Sequence, residues 1–241
     1  MPDRRSCASR REPPRGAEAA GRDMDSRLRP RIELPEPRRT SAAVLEATMA
    51  ARRSQRDFAT GPLALAELAQ LLWAAQGITH RDGLRTAPSA GATYPLAVYA
   101  VVGRVEGLLV GIYRYEPDSH ALISIAGGDR RHALAEAALA QHWIAGAAVT
   151  LAVAAVFERT TDKYGRRGER YMHMEAGHVG QNVCLQAVPL GLGTTVVGAF
   201  DDAAVAAIID PTVPMTPLCL LPVGRIGSSR DLAASAHFRH A

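Results

Sequence analysis

The spacing of apolar residues along the chain predicts a succession of helices and strands. Apolar positions recur at helical spacing over residues 65–76, and Gly77 follows at the place where helices commonly end in glycine. Continuous apolar runs at 97–102 and 147–157 are typical of buried strands. This pattern predicts one domain with a sizeable apolar core.

The other elements follow from the same patterns and from turn residues. Pro117 and Asp118 separate two short apolar stretches and predict a hairpin. Ser41 is placed to cap the first helix, and Pro189 is expected to disturb the end of the longest helix. Strands and helices mixed in this way predict an α+β fold, a mixed sheet flanked by helices. The predicted helices cover residues 41–51, 130–141, 171–190 and 202–209, and the predicted strands cover 111–115, 121–125, 194–199 and 218–223.

The ends of the chain differ from its middle in composition. Residues 1–39 hold eleven arginines and seven acidic residues but very few large apolar side chains. Such a segment buries too little surface to offset the entropy lost on ordering. The sequence therefore predicts a disordered arm over 1–31, a folded domain over 32–228 and a tail over 229–241. Within the domain, residues 32–35 are expected to dock as an extended strap.

Charge and cysteine usage exclude several classes of function. Beyond residue 39 the chain has seventeen basic and seventeen acidic residues, so the folded part lacks the basic face of a nucleic-acid-binding domain. The sequence contains neither an apolar run long enough to span a membrane nor a signal peptide, so we expect no membrane partner and a cytoplasmic location. Three widely spaced cysteines without a C-x-x-C pattern predict no metal site.

A basic segment follows the first predicted helix. Arg52, Arg53 and Arg56 surround the hydroxyl of Ser54 within five residues. Guanidinium forks and hydroxyl donors suit the oxygens of a phosphate group. The same pattern also occurs at a solvated helix end, where cations interact favourably with the helix dipole. The segment alone leaves both interpretations open.

Four further features could contact a ligand. The small residues of 86–95 let the backbone approach a flat molecule closely. Residues 191–200 run from a helix end into a strand and a glycine, which is not the arrangement of a dinucleotide fingerprint. Gly224 and Arg225 follow the last strand and could aim a guanidinium at an anion. The fourth feature is one helix face with polar residues that fit a ligand contact, a buried cluster or a dimer contact: Glu175, His178 and Asn182.

Taken in order, five motifs resemble the nitroreductase superfamily. They are R-R-S-x-R, P-S-A-G-A-x-Y-P, G-H-x-x-Q-N, L-G-L-G-x-x-x-V-G-A-F-D and P-V-G-R, within residues 32–225. Each motif alone is weak evidence for the family, but the five motifs in this order are strong evidence. The sequence is most similar to the SagB-type dehydrogenases, a branch that includes the azoline oxidases of modified-peptide biosynthesis. The resemblance implies a nitroreductase-like α+β fold and an intertwined homodimer with two FMN molecules at its interface.

The resemblance also implies roles in FMN binding for individual residues. Arg52 and Ser54 would hold the phosphate together with Arg225, and Arg53 would follow the ribityl chain. Arg56 would reach the N1/O2 edge of the ring, where a fixed cation stabilises the negative charge of reduced flavin. The remaining implied contacts are Gly198 at N5 through its backbone N–H, Pro88, Ser89, Ala90 and Gly91 over the ring from the partner subunit, and Asn182, Val197 and Gly224 at its border.

The implied chemistry is hydride transfer through flavin N5, between NAD(P)H or an organic donor and a small acceptor, with azoline-type oxidation as one form. Lys163 and Tyr171 are the candidates for the lysine and tyrosine that azoline oxidases use as acid–base groups, although an exposed lysine is the usual alternative. From its length, the chain is expected to lack the extra N-terminal domain that some members use for peptides. The substrate is therefore left open between a small molecule and a peptide-derived compound. A non-catalytic flavin-binding or scaffolding dimer is the alternative function.

Overall fold

A computed structural model describes residues 29–227 of the chain, and its secondary structure is of the α+β class. The helices are α1 (Leu45–Ala51), α2 (Leu65–Gln76), α3 (Arg131–Ala137), α4 (Glu158–Tyr164), α5 (Arg167–Ala187) and α6 (Asp202–Ile209). The strands are β1 (Arg31–Glu33), β2 (Phe58–Ala59), β3 (Leu96–Val102), β4 (Gly111–Glu116), β5 (Ala121–Gly127), β6 (Val149–Ala155), β7 (Leu192–Thr194) and β8 (Thr216–Ile226).

These strands form one sheet with helices on both faces. Its order is β1-β5-β4-β3-β6-β8-β2, and β7 also pairs with β8. Successive side chains of a strand point to opposite faces, so Val98 on β3 belongs to one apolar cluster and Tyr99 to the other. The helices α2 and α5 cover the first face, and α3 and α6 cover the second. The central strand β6 is buried along its whole length, as its apolar run predicts.

Strand pairing is simpler than the expected mixed sheet. Every pairing between the named strands is antiparallel, and parallel pairing in the described residues is confined to two isolated bridges, Ser54 with Thr194 and Leu63 with Val105. The predicted strap forms β1 and pairs with β5 as an edge strand. Most of the predicted arm and the whole predicted tail lie outside the described residues.

Two helices are found at the predicted residues, and three others differ from prediction. The predictions for α2 and α6 are confirmed at both ends. The first helix begins at Leu45 rather than beside Ser41, whose Oγ accepts the N–H of Ala43 in the turn before it. The helix predicted over 130–141 ends at Ala137, because Leu139 and Ala140 adopt positive φ angles of 56° and 57°.

The long helix α5 begins four residues earlier than predicted and ends at Ala187. Pro189 therefore lies beyond the helix end and does not kink it. The strand predicted over 194–199 is wrong, because β7 occupies 192–194 and pairs with β8 through Gly193. The prediction also missed α4, a seven-residue helix that contains Lys163.

No helix among residues 29–227 combines the length and apolar character needed to cross a membrane.

Candidate functional site

Gly193 and Gly224 leave a surface without side chains on β7 and β8, which we call the glycine bed. Gly193 lies directly opposite Gly224 in the antiparallel ladder. A Cβ atom at Gly193 would lie 2.8 Å from the Cβ of Gln55, and one at Gly224 would lie 2.9 Å from Cδ1 of Phe58. Neither distance leaves room for a side chain. The two glycines therefore let the segment 52–58, which we call the basic strip, lie directly on the two strands.

Backbone hydrogen bonds fix the course of the basic strip. Its first residue closes α1, because the N–H of Arg52 donates to the carbonyl of Thr48 at 3.0 Å. The N–H of Gln55 then donates to the carbonyl of Thr194 in β7, also at 3.0 Å. The strip ends by entering β2, whose Phe58 pairs with Ile226 of β8. The R-R-S-x-R motif and the last strand thus become neighbours although they are far apart in sequence.

The substitution Gly224→Ala is expected to lower the free energy of unfolding by about 1–3 kcal/mol, because overpacking forces buried neighbours to shift. Gly224 is buried, and its added methyl group would meet the ring of Phe58. Gly127→Ala on β5 is a matched control, since its Cβ would have no atom within 4 Å. Urea denaturation of both variants measures the difference, and equal stability of the two would remove the argument for a glycine bed.

The four cations of this region are engaged differently. Arg53 donates from Nη1 to the carbonyls of Ala50 and Arg52, each at 2.8 Å, and so closes the end of α1. The guanidinium of Arg56 lies over the indole ring of Trp143, 5.7 Å from its centroid. Arg225 forms a two-point ion pair with Glu67 on α2, at 2.8 and 2.7 Å.

Arg52 is the cation of the strip that remains available. Its side chain makes no hydrogen bond to any residue of the described part of the chain. It lies near Cys184 on α5, where burial raises the pKa of the thiol and the positive charge of Arg52 opposes that rise. Ser54 next to it is exposed, and Thr194 across the bridge has a buried Oγ1 without a partner among residues 29–227. Unengaged donors of this kind fit the oxygens of an anionic group.

The loop after β7 is anchored to β8 just before Gly198. Val197 exchanges two backbone hydrogen bonds with Leu220, at 2.8 and 2.9 Å, and its side chain is buried. Gly198 follows directly and is exposed. The anchor therefore presents the backbone of Gly198 at the surface, on the same pair of strands that carries the basic strip.

The 88–95 loop forms a second group of predicted site residues, and its backbone is strained. Gly91, Ala92 and Tyr94 have φ angles of 60°, 54° and 44°. Left-handed backbone is unusual for alanine and more so for a bulky tyrosine, so the surrounding structure must hold it in place. Strain of this kind clusters at binding and catalytic sites.

Helix α4 supplies that support. Oγ1 of Thr160 and Oγ1 of Thr93 share a hydrogen bond of 2.7 Å, and Thr160 is buried. Lys163 donates from Nζ to the carbonyl of Gly91 at 3.2 Å, and Arg159 donates to the carbonyl of Tyr94 at 3.3 Å. The helix that sequence patterning missed is thus the element that holds the 88–95 loop.

The structure brings Lys163 and Tyr171 together through a residue that sequence reasoning did not select. The ring of Tyr164 packs edge-on against Tyr171, with centroids 5.2 Å apart, and Nζ of Lys163 lies 5.5 Å from the centroid of the Tyr164 ring. The hydroxyl of Tyr164 is also close to Gly91. The signal that could have found Tyr164 is its position next to the single lysine of the chain.

The polar face of α5 does not act as one unit. Glu175 is buried, and desolvation raises the pKa of its carboxyl. His178 is exposed. Asn182 donates from Nδ2 to the carbonyls of Ala74 and Thr86, at 3.1 and 3.2 Å. Asn182 therefore ties α5 to the end of α2 and to the chain that leads into the 88–95 loop. Residues 29–227 contain no group of three or more His, Cys, Asp or Glu side chains that could hold a metal ion.

The profile of the family described as the Nitroreductase family matches residues 49–225, which include both groups of site residues. The chain belongs to the nitroreductase family. A nitroreductase homologue of Methanocaldococcus jannaschii is 47% identical over 194 residues, covering 80% of this chain and 96% of that protein. The crystal structure of a nitroreductase from Ralstonia eutropha is 29% identical, with a TM-score of 0.71, over 82% of this chain and 90% of that one.

The same fold occurs in the E. coli microcin synthetase complex. A chain of that complex is 22% identical to this one, with a TM-score of 0.62, over 88% of this chain and 85% of that chain. Nitroreductase-family membership implies oxidoreductase activity, and members generally bind flavin and are typically dimers. The α+β fold expected from the resemblance is therefore confirmed, together with the family.

Proposed function

We propose that this nitroreductase-family protein is an FMN-dependent oxidoreductase whose two active sites lie between the subunits of a homodimer. The observation that carries the proposal is the basic strip laid on β7 and β8, with Arg52 and Ser54 unengaged beside the strand of Arg225. The donor set of this strip fits the phosphate end of FMN. Membership of the nitroreductase family alone supports the broader conclusion that the protein is an oxidoreductase.

Individual residues take the following roles in this proposal. Arg52 and Ser54 bind the phosphate, and Arg225 adds the N–H groups that remain after its pair with Glu67 and its hydrogen bond to the carbonyl of Pro62. Arg53 follows the ribityl chain while it closes α1. The remaining residues border the ring: Arg56 at the N1/O2 edge, Gly198 at N5 through its N–H, and Asn182, Val197 and Gly224 along the side of the sheet.

Bound FMN supplies reversible two-electron transfer at N5. The protein's own part is to bind, orient and exclude water. Pro88, Ser89, Ala90 and Gly91 cover the ring of the partner subunit's cofactor, and α4 keeps that loop in its strained form. In this arrangement Lys163 holds the carbonyl of Gly91, and its ammonium, with Tyr164 or Tyr171, provides a proton donor at the edge of the site.

The electron donor is NAD(P)H or an organic compound, and the acceptor is a small molecule. A SagB-type role with azoline oxidation is the finer form of this proposal. The structure of the microcin synthetase complex was determined with truncated pro-MccB17 bound, and the shared fold makes a peptide-derived substrate a reasonable class to include. The motif order in the sequence supports the same branch.

The decisive experiment follows the spectrum of the purified protein under anaerobic conditions. We expect a yellow protein that releases FMN on denaturation and whose flavin absorption is bleached by NADH, NADPH or an azoline-containing peptide. A flavin that none of these compounds reduces would favour the alternative, a non-catalytic flavin-binding or scaffolding dimer. A colourless protein that takes up no FMN would contradict both.

Arg56→Gln is expected to keep FMN bound but to lower its reduction potential and slow its reduction. The reason is that negative charge develops at the N1/O2 edge only on reduction, so a fixed cation there acts on the reduced form. Anaerobic redox titration measures the potential. Trp143→Phe is the matched control, because it alters the ring under Arg56 but leaves the cation. If the reduction potential of Arg56→Gln were unchanged, Arg56 would have no role at the flavin, and its contact with Trp143 would be its remaining interaction.

A further inference from the structure

A large cavity lies away from the basic strip, at the end of the sheet where β3 begins and β4 ends. Its volume is about 790 Å³. Pockets for small ligands typically have volumes of roughly 300–1,000 Å³. None of the residues that we assign to FMN, and neither Lys163 nor Tyr171, lines it. The cavity therefore needs an explanation of its own.

The charges that line the cavity are mostly positive. Four arginines and two acidic residues form its charged wall: Arg31, Arg85, Arg114, Arg159, Glu116 and Asp118. Arg114 and Glu116 pair with each other at 3.3 Å, and Arg31 pairs with Glu33 at 2.8 Å. Arg85 and Arg159 are the two of these arginines that have no carboxylate at salt-bridge distance among residues 29–227.

These two arginines repel each other and keep free donors. Burial lowers the pKa of Arg85, and the nearby charge of Arg159 lowers it further, while Asp118 and Glu175 act in the opposite direction. Arg85 uses Nη1 to donate to Oε1 of Gln76 at 2.8 Å, and Arg159 uses Nη1 for the carbonyl of Tyr94. Their other N–H groups make no hydrogen bond within residues 29–227. An anion between them would relieve the repulsion and accept from both.

Most of the remaining cavity surface is polar as well, and Gln76, Tyr99 and Tyr115 contribute to it. One side of the wall is apolar, and its residues come from the start of β3, the end of β6 and the chain before β8: Leu96, Ala97, Val98, Val156, Val213 and Met215. A fully hydrated inorganic ion would gain nothing from this apolar side, whereas a hydrocarbon or aromatic body would bury surface there. We propose that this cavity is a binding site for an organic carboxylate, with its acid group between Arg85 and Arg159 and its apolar body against β3 and β6.

The site adjoins the 88–95 loop. The guanidinium of Arg85 stacks on the ring of Tyr94, 4.3 Å from its centroid, and Arg159 holds the carbonyl of the same residue. A bound carboxylate would accept hydrogen bonds from Arg85 and Arg159, the two arginines that contact Tyr94. Binding in the cavity and the position of this loop are therefore linked.

Isothermal titration of the purified full chain, as isolated with its cofactor, tests the proposal. The probes are phenylacetate, its neutral analogue phenylacetamide, and inorganic phosphate. We expect phenylacetate to bind at least about tenfold more tightly than either of the others, because hydrogen bonds to charged groups are the stronger ones. Arg85→Gln and Arg159→Gln should each weaken phenylacetate about tenfold. Arg81→Gln, whose side chain is 90% exposed, should leave binding unchanged.

Arg159→Lys keeps a cation and should recover part of the affinity, which separates a loss of charge from a loss of fold. The melting temperature and flavin content of each variant are measured alongside. Three results would each overturn the proposal: equal affinity for phenylacetate and its amide, tighter binding of phosphate than of phenylacetate, or no binding of any probe. None of these results bears on whether FMN occupies the basic strip, so the two proposals fail independently.

Discussion

Arg52→Ala should weaken FMN binding by roughly 1.5–3 kcal/mol, about ten- to a hundredfold in Kd, because it removes a charge-assisted contact to the phosphate. Arg52 is singled out because its guanidinium makes neither a hydrogen bond nor a ring contact within the described part of the chain, whereas Arg56 lies over Trp143. Removing the Arg52 side chain therefore breaks no hydrogen bond among residues 29–227. Flavin retained after dialysis, followed by titration of the stripped protein with FMN, measures the effect.

Two controls make this result specific. Arg81→Ala removes an exposed arginine elsewhere on the surface and should leave flavin content unchanged. Ser54→Ala removes a nearby exposed hydroxyl and should weaken FMN binding by less, because a hydroxyl donates one hydrogen bond, whereas a guanidinium can donate two and also carries the opposite charge. If Arg52→Ala retained as much flavin as the wild-type protein, the phosphate would have to lie elsewhere than at the basic strip.

Sequence patterns predicted best those elements whose structure follows from local signals in the sequence. The α2 helix has apolar residues at helical spacing and a glycine after its last residue, and both of its ends are confirmed. Helix α4 is also followed by a glycine, Gly165, but it lacks apolar residues at helical spacing. Its stability depends on contacts from distant residues, above all the hydrogen bond between Thr160 and Thr93. No local pattern encodes such a contact, so the sequence analysis assigns no element to this segment.

The strand β7 was misplaced for a related reason. Glycine disfavours strands, and Thr194 to Val197 is rich in β-branched residues, so propensity shifts the prediction towards the C-terminus. The structure places Gly193 inside the ladder because only a residue without a side chain admits Gln55 above it. Tertiary packing of the basic strip overrides the local preference.

In the candidate site, too, motifs predict which segments take part, but they do not predict the contacts between distant residues. The order of motifs was sufficient to recognise the family, and it selected the basic strip and the 88–95 loop as candidate site residues. It could not show that Arg225 would pair with Glu67, which is 158 residues away in sequence, or that Arg56 would lie over Trp143. Such pairings depend on which elements the sheet brings side by side, and a single sequence does not contain that information.

Gly91→Ala is expected to slow flavin reduction by up to about a hundredfold, because small displacements of positioning groups can cost that much. Two effects act at this residue. Its φ of 60° is unfavourable for alanine, and the new Cβ would lie 2.5 Å from Nζ of Lys163 and close to the hydroxyl of Tyr164. Either the ends of the Lys163 and Tyr164 side chains or the 88–95 loop must then shift, and both changes disturb the hydrogen bond from Lys163 to the carbonyl of Gly91.

Gly83→Ala separates the clash from the backbone strain. Gly83 has a φ of 78°, but a Cβ there would meet nothing within 4 Å, so this variant carries the strain alone. It should lose about 1–2 kcal/mol of stability, the cost of left-handed backbone, with a normal rate of reduction. A second comparison introduces Gly91→Ala into the Lys163→Ala variant. There it should reduce the rate of flavin reduction by a smaller factor, because one of the two clashing groups is gone. Stopped-flow reduction and thermal unfolding of the wild type, the three single variants and the double variant give both quantities. If Gly91→Ala and Gly83→Ala reduced flavin equally fast, the contact between α4 and the 88–95 loop would have no part in catalysis.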